Sequence, residues 1–313
     1  MIELAAIREA RGRIADVAVR TPLVRLPVDD APAEIYCKLE TLQPINSFKI
    51  RGAANAIRSA TAAERAPGLV TASAGNMAQG VAWVARELGL AATIAVPDHA
   101  PQAKIAAIER LGGRVLPVPY EEWWQAIVTS RVDGVEGLFV HPVQDPAVMA
   151  GNGTIGLEIL EDLPDPDAVV IPVGGGGLTV GIASAIKALR PQTKVYTAEP
   201  ETGAALSAAI AAGGPVDVDY QASFVDGAGS RRVLDPMWPR LQELVDEPVA
   251  VSLDDARGAV RTLAERLRVI AEGAGALATA AALTGQAGRG KVVCIVSGGN
   301  INLATLAEIF GSG

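Results

Sequence analysis

The sequence predicts an α/β protein built on largely parallel sheets. Three observations carry that prediction: short apolar runs rich in β-branched residues alternate with Ala-rich helical runs, small-residue loops join them, and the unit recurs along the chain. Strand–helix–strand crossovers with buried strands produce this pattern. The run 91-AATIAVPD-98 reads as a strand, 102–111 as a helix stopped by Gly112 and Gly113, and 114-RVLPVP-119 as the next strand. The unit returns in 168-AVVIPV-173 with the helical run 178–190, and in 194-KVYTAE-199 with a helical run over 203–212. The last strand is 291-KVVCIV-296. Ser252, followed by Asp254 and Asp255, reads as a helix cap. The irregular Gly-rich stretch 213–230 reads as a long loop beside a site. No internal repeat or low-complexity segment interrupts the chain, and no composition shift marks a domain boundary.

Composition narrows the function. The 313 residues are half apolar, enough for a large buried core. No run of about 18 apolar residues occurs, so no membrane span is expected. The start, MIELAAIREARGR, is charged and lacks a signal-peptide core, which points to a cytoplasmic protein. With 27 Lys and Arg against 35 Asp and Glu, the formal charge is -8, and no basic field exists for a nucleic-acid backbone. Cys37 and Cys294 each lie in an apolar, strand-like run and read as free buried thiols. The spacing of the two cysteines and two histidines supports no metal site.

Four loops carry chemistry. In 44-PINSFKIRGAANAI-57, Lys49 sits between Phe48 and Ile50 just before a helix expected from about Arg51. A desolvated lysine beside helix amides can become a nucleophile, although a solvated lysine at a turn fits the segment alone. In 71-TASAGNMAQG-80, Ser73 and Asn76 precede a helix over 77–88 whose positive end suits an anion; a plain strand–turn–helix junction is the other reading. Gly174, Gly175, Gly176 and Gly177 lie between a strand and a helix and permit backbone amides to converge on a phosphate. They form neither a dinucleotide fingerprint nor a Walker loop. In 297-SGGN-300, Ser297 stands at the carboxyl end of the last strand, where open α/β sheets place ligands, although a simple turn fits equally well.

Together these loops resemble the fold-type II pyridoxal-phosphate enzymes, with a tryptophan synthase β-like fold of two open, mostly parallel sheets and flanking helices. Within them the chain is similar to the serine/threonine dehydratase and serine racemase group. The ordered set is 21-TPLVRL-26, 46-NSFKIRGA-53, 73-SAGNMAQG-80, 151-GNGTIGLEI-159, 174-GGGGL-178, 272-EGAGA-276 and 297-SGGN-300, nearly the whole chain. The resemblance implies that Lys49 carries pyridoxal 5'-phosphate, Phe48 backs its ring, and Asn76 bonds its 3-hydroxyl. It implies that Gly174, Gly175, Gly176 and Gly177 hold the phosphate, with Ser297 facing the pyridine nitrogen. Ser73, Ala74, Gly75, Asn76 and Met77 would bind the substrate carboxylate. It further implies a large domain of 1–53 and 141–313, a small inserted domain of 54–140, and a homodimer. The expected reaction is loss of water and ammonia from a small L-β-hydroxy amino acid such as threonine or serine, giving a 2-oxo acid. Elimination from a hydroxyaspartate- or phenylserine-type substrate is the alternative.

Three departures from the family pattern bear on this. Met77 replaces a usual histidine, which bears on side-chain specificity. Ala74 stands where racemase-like relatives carry a serine base, which favours elimination over racemisation. For a divalent metal, Glu199 and the Gly203 carbonyl match two ligands, but Ala205 occupies the second carboxylate position. That is a poor oxygen set for a hard dication, and a monovalent cation or no ion fits as well. Gly273 also stands where proline is usual. Since the sequence stops soon after SGGN, without a regulatory domain, a catabolic or specialised role is expected. A side chain placed at Gly175 or Gly176 is expected to weaken cofactor retention with the fold preserved.

Overall fold

The structure is a computed structural model in which residues 1–311 are described. Its strands are β1 (Leu23–Arg25), β2 (Glu34–Leu39), β3 (Leu69–Ala72), β4 (Ala92–Pro97), β5 (Arg114–Val118), β6 (Leu138–Phe139), β7 (Ala168–Pro172), β8 (Lys194–Pro200), β9 (Glu247–Val251) and β10 (Lys291–Val296). They form two sheets. One has six strands in the order β1-β2-β10-β7-β8-β9, parallel except for β1 against β2. The other has four parallel strands in the order β5-β4-β3-β6, all drawn from 69–139.

The sequence explains the layering. In β10, Val292, Cys294 and Val296 enter one apolar cluster, with the helix Gly273–Leu283. Val293 and Ile295 enter the other, with the helices Pro146–Asp162 and Gly177–Leu189. A strand covered on both faces has to be apolar at every position, which is why 291-KVVCIV-296 does not alternate. Cys37 and Cys294 are in-register neighbours on β2 and β10, both buried and free.

This topology places the site. Leu39 pairs with Val296, and Cys294 with Val170, so the carboxyl ends of β2, β10 and β7 lie side by side. The segments that follow them carry Lys49, Ser297 and Gly174. Element boundaries fall within a few residues of the expected ones. The helix Lys49–Ser59 starts at Lys49 itself rather than near Arg51, and Ala205–Ala212 follows a short 3-10 turn, Glu201–Gly203. Among the described residues, no helix is long and apolar enough to cross a membrane.

Candidate active site

Lys49 opens its helix from a turn locked to β10. Phe48 N–H donates to the Ser297 carbonyl at 3.0 Å, Gly299 N–H donates to the Asn46 carbonyl at 2.9 Å, and Ser47 bridges Gly298. Arg51, two residues on, is buried beneath this turn. Its guanidinium donates to both oxygens of Glu40 and of Glu158, and Lys38 also donates to Glu158. Burial alone would raise the Glu40 carboxyl, but Arg51 beside it holds it below the usual range. Two cations and two carboxylates thus pin the start of the lysine helix without leaving a net charge under it.

The Lys49 side chain is half-buried. Its Nζ donates to the Pro142 carbonyl at 2.9 Å and lies 5.2 Å from the Phe48 ring centroid. The chain has six lysines. Lys38, Lys104, Lys187, Lys194 and Lys291 each pair with a carboxylate, and among the described residues Lys49 has no such partner. Burial pushes its ammonium down to about 8, against a smaller upward pull from the Glu272 carboxylate. A neutral amine is therefore accessible near physiological pH, as a nucleophile or base requires.

Asn76 is held from both ends. Its Oδ1 accepts from Asn300 Nδ2 at 2.7 Å, and its Nδ2 donates to Glu272 Oε1 at 2.7 Å. One Nδ2 proton remains for a ligand. Glu272 N–H donates to the Gly298 carbonyl, and a Cβ on Gly298 would sit 2.4 Å from Glu272 Oε1, so only glycine fits there. Burial pushes Glu272 up to about 7, with the charge of Asp226 adding to the rise. Ser297 is buried, and its hydroxyl has no partner among the described residues.

The glycine loop leaves its backbone amides open. None of the amides of Gly174, Gly175, Gly176 and Gly177 donates to another described residue, and Gly176 has φ 90° at the cap of its helix. Four free N–H groups at a helix start form an anion site. The missing Cβ positions, however, face protein. At Gly175 a Cβ would meet Val143 Cγ2 at 2.5 Å, at Gly176 Leu241 Cδ1 at 2.9 Å, and at Gly177 the Val143 carbonyl at 2.6 Å. Side chains there would press on the packing behind the loop, so a loss of stability is expected beside the weakened cofactor retention.

Ser73, Ala74, Gly75 and Asn76 are half-buried at the start of the helix Asn76–Leu88, which has no side-chain cap. Ser73 Oγ accepts from Gly75 N–H at 3.3 Å. Met77 differs from its neighbours: it is 1% exposed and packs in the apolar cluster of Ile50, Ala53 and Val81. Glu199 is also engaged elsewhere. It is buried, its Oε1 accepts from Leu206 N–H, and its Oε2 accepts from Ser207 N–H and Oγ, so it caps the helix Ala205–Ala212. Burial raises its carboxyl above the usual range. The Gly203 carbonyl accepts from Ser230 N–H. Among the described residues, no group of three or more His, Cys, Asp or Glu is arranged to hold a metal.

Sequence reasoning missed Glu272, Asn300 and the 142–143 turn as parts of the site. The available signals were Glu272 opening the small-residue run 273–283 and Asn300 closing 297-SGGN-300.

Comparison with known proteins fits this geometry. The family model described as pyridoxal-phosphate dependent enzyme matches residues 14–298. The L-threonine ammonia-lyase of Thermotoga maritima is 42% identical over all of this chain and 79% of its own length. The catabolic L-threonine dehydratase of Escherichia coli is 39% identical over 97% of this chain and 95% of its own. The solved structure of maize serine racemase superposes with a TM-score of 0.91 at 32% identity, covering 99% and 97% of the two chains. With an isolated lysine, a free-amide glycine loop and an unpartnered serine gathered at the carboxyl ends of three adjacent strands, the chain belongs to the pyridoxal-phosphate dependent enzymes of fold type II, in the group of threonine ammonia-lyases and serine racemases.

Proposed function

We propose that the protein removes water and ammonia from a small L-β-hydroxy amino acid, threonine or serine, to give a 2-oxo acid. The observation that carries the reading is the isolation of Lys49, which among the described residues is the one lysine without a carboxylate partner. The residues present fit pyridoxal phosphate. Lys49 would carry it, with Phe48 against its ring. The free amides of Gly174, Gly175, Gly176 and Gly177 suit a phosphate, the spare Nδ2 proton of Asn76 suits the 3-oxygen, and the unpartnered Ser297 hydroxyl suits a ring nitrogen. When bound, this group supplies the electron sink that makes an α-proton removable.

The chain does the rest. The amides at the start of the helix Asn76–Leu88, with Ser73, hold the substrate carboxylate in this reading. Lys49 Nζ takes the α-proton, since its lowered ammonium range leaves a neutral amine available. The ammonium so formed is the proton donor on this chain for the leaving β-hydroxyl. A neutral hydroxyl at Ser297 places no positive charge at the ring nitrogen, which favours prompt elimination. The released enamine hydrolyses to the 2-oxo acid and ammonia. Racemisation needs a second base on the face opposite Lys49, and Ala74 offers none. The reading includes residues 54–140 as the smaller of two domains, and a homodimer.

The test gives the purified holoenzyme L-threonine and L-serine separately. It measures 2-oxo acid with a coupled reductase and remaining enantiomers by chiral chromatography. The expected result is 2-oxo acid from at least one substrate with negligible D-enantiomer. D-Enantiomer accumulating faster than 2-oxo acid overturns the reading.

A further inference from the structure

His141 has no place in the reaction just described, yet it is buried at the join between the two sheets. Its Nδ1 lies 3.0 Å from both Val143 N and Gln144 N, and its Nε2 lies 3.0 Å from the Ile127 carbonyl, on the helix Tyr120–Thr129. Backbone N–H groups only donate, and carbonyls only accept. The ring is therefore neutral, with the proton on Nε2 and the Nδ1 lone pair facing two amides; the other tautomer and the charged form each set N–H against N–H. Burial keeps the ring neutral against the upward pull of the Ile127 carbonyl and the Asp145 carboxylate, and the nearby charge of Lys49 adds to the effect of burial.

The turn that the ring organises touches both halves of the cofactor site. The Pro142 carbonyl accepts from Lys49 Nζ. Val143 fills the space a side chain would take at Gly175, and its carbonyl does so at Gly177. We propose that His141 is a positioning residue: by accepting from Val143 and Gln144 it fixes the turn that holds the Lys49 amine and backs the glycine loop. The proposal rests on the reading of Lys49 and the glycine loop as the cofactor site. Its main measurements concern the unloaded protein, so it can fail separately: a cofactor mapped to another lysine overturns that reading, whereas the results below bear on His141.

Asparagine and glutamine divide the two ends of the ring. In His141→Asn, Oδ1 replaces the Nδ1 acceptor and the link to Ile127 is lost. In His141→Gln, the amide reaches Ile127 and the acceptor for the two N–H groups is lost. Three measurements apply: histidine nitrogen NMR, simple because the chain has two histidines; the pH midpoint for acylation of Lys49 in the unloaded protein; and the dissociation constant for pyridoxal phosphate. The expected wild-type spectrum shows His141 protonated on Nε2 alone at neutral pH. His141→Gln is expected to weaken cofactor binding by about tenfold or more and to move the Lys49 midpoint, while His141→Asn keeps both within about threefold. A proton found on Nδ1, or glutamine matching asparagine on both measures, overturns the proposal. If His141→Gln does not fold, the wild-type tautomer and His141→Asn decide, and a tenfold loss in His141→Asn counts against it.

Discussion

Asn76 donates a 2.7 Å hydrogen bond to the buried carboxylate of Glu272, joining the start of the helix Asn76–Leu88 to the start of the helix Gly273–Leu283. The pair sits under the loop that follows Ser297, and Asn300 holds the other end of the Asn76 amide. Orientation of that amide is thus set by two partners before any ligand arrives.

Glu272→Gln keeps an acceptor for Asn76 but cannot ionise. Burial raises Glu272 from 4.5 to about 7 in the folded chain, so the group contributes stability that is full below about 4.5 and lost as pH rises through about 7. The glutamine variant loses nothing over that window. Its stability relative to the parent, measured by urea unfolding of the unloaded protein, is expected to rise by on the order of 3 kcal/mol between pH 4.5 and above 7. A difference that stays flat with pH refutes the assignment.

Lys49 should behave as a lysine apart. With its ammonium lowered to about 8, it is expected to be acylated in the unloaded protein with a midpoint near pH 8. Because Glu272 pulls Lys49 upward, Glu272→Gln should lower that midpoint further. Borohydride reduction of the holoenzyme and peptide mapping should find the pyridoxyl group on Lys49, and Lys49→Ala should lose the cofactor's attachment and nearly all turnover. Pyridoxyl on Lys38, Lys104 or Lys187 refutes the assignment.

Much of this was legible in the sequence because buried parallel strands are short, apolar and bounded by small-residue loops, as 291-KVVCIV-296 and 168-AVVIPV-173 show. Sheet order was not, since hydrophobic pattern gives a strand's existence but not its neighbour. Met77 is buried for a geometric reason. Successive helical residues point roughly 100° apart, so Asn76 facing the cleft turns Met77 into the cluster with Ile50 and Ala53. Glu272 and His141 were hidden because each looks ordinary in its own segment, and their partners lie 196 and up to 14 residues away.

Gly175 offers a double-mutant test of the glycine loop. Its φ is not in the left-handed region, so alanine is permitted by the backbone, and the obstacle is Val143 Cγ2 at 2.5 Å from the new Cβ. Gly175→Ala alone is expected to cost about 1–3 kcal/mol through overpacking and to weaken pyridoxal phosphate binding. Val143→Ala removes both obstructing methyl carbons. Combined with Gly175→Ala, it should restore cofactor affinity and much of the stability, giving a favourable coupling energy. Strict additivity of the two changes would mean that Val143 is not what crowds the loop.

The last test concerns metal. Both Glu199 oxygens are occupied by the amides of Leu206 and Ser207 and by the Ser207 hydroxyl, and this capping role needs no ion. Ala205 adds no carboxylate. Exhaustive chelation with potassium held constant should therefore leave activity and thermal midpoint largely unchanged. Replacing potassium by a bulky organic cation separately tests for a monovalent ion. Glu199→Ala should cost about 1–3 kcal/mol whether or not magnesium is present, because the loss is that of buried hydrogen bonds at a helix start. If chelation abolishes turnover, magnesium restores it, and Glu199→Ala removes that response, Glu199 is a metal ligand and the capping bonds seen here give way when the ion binds.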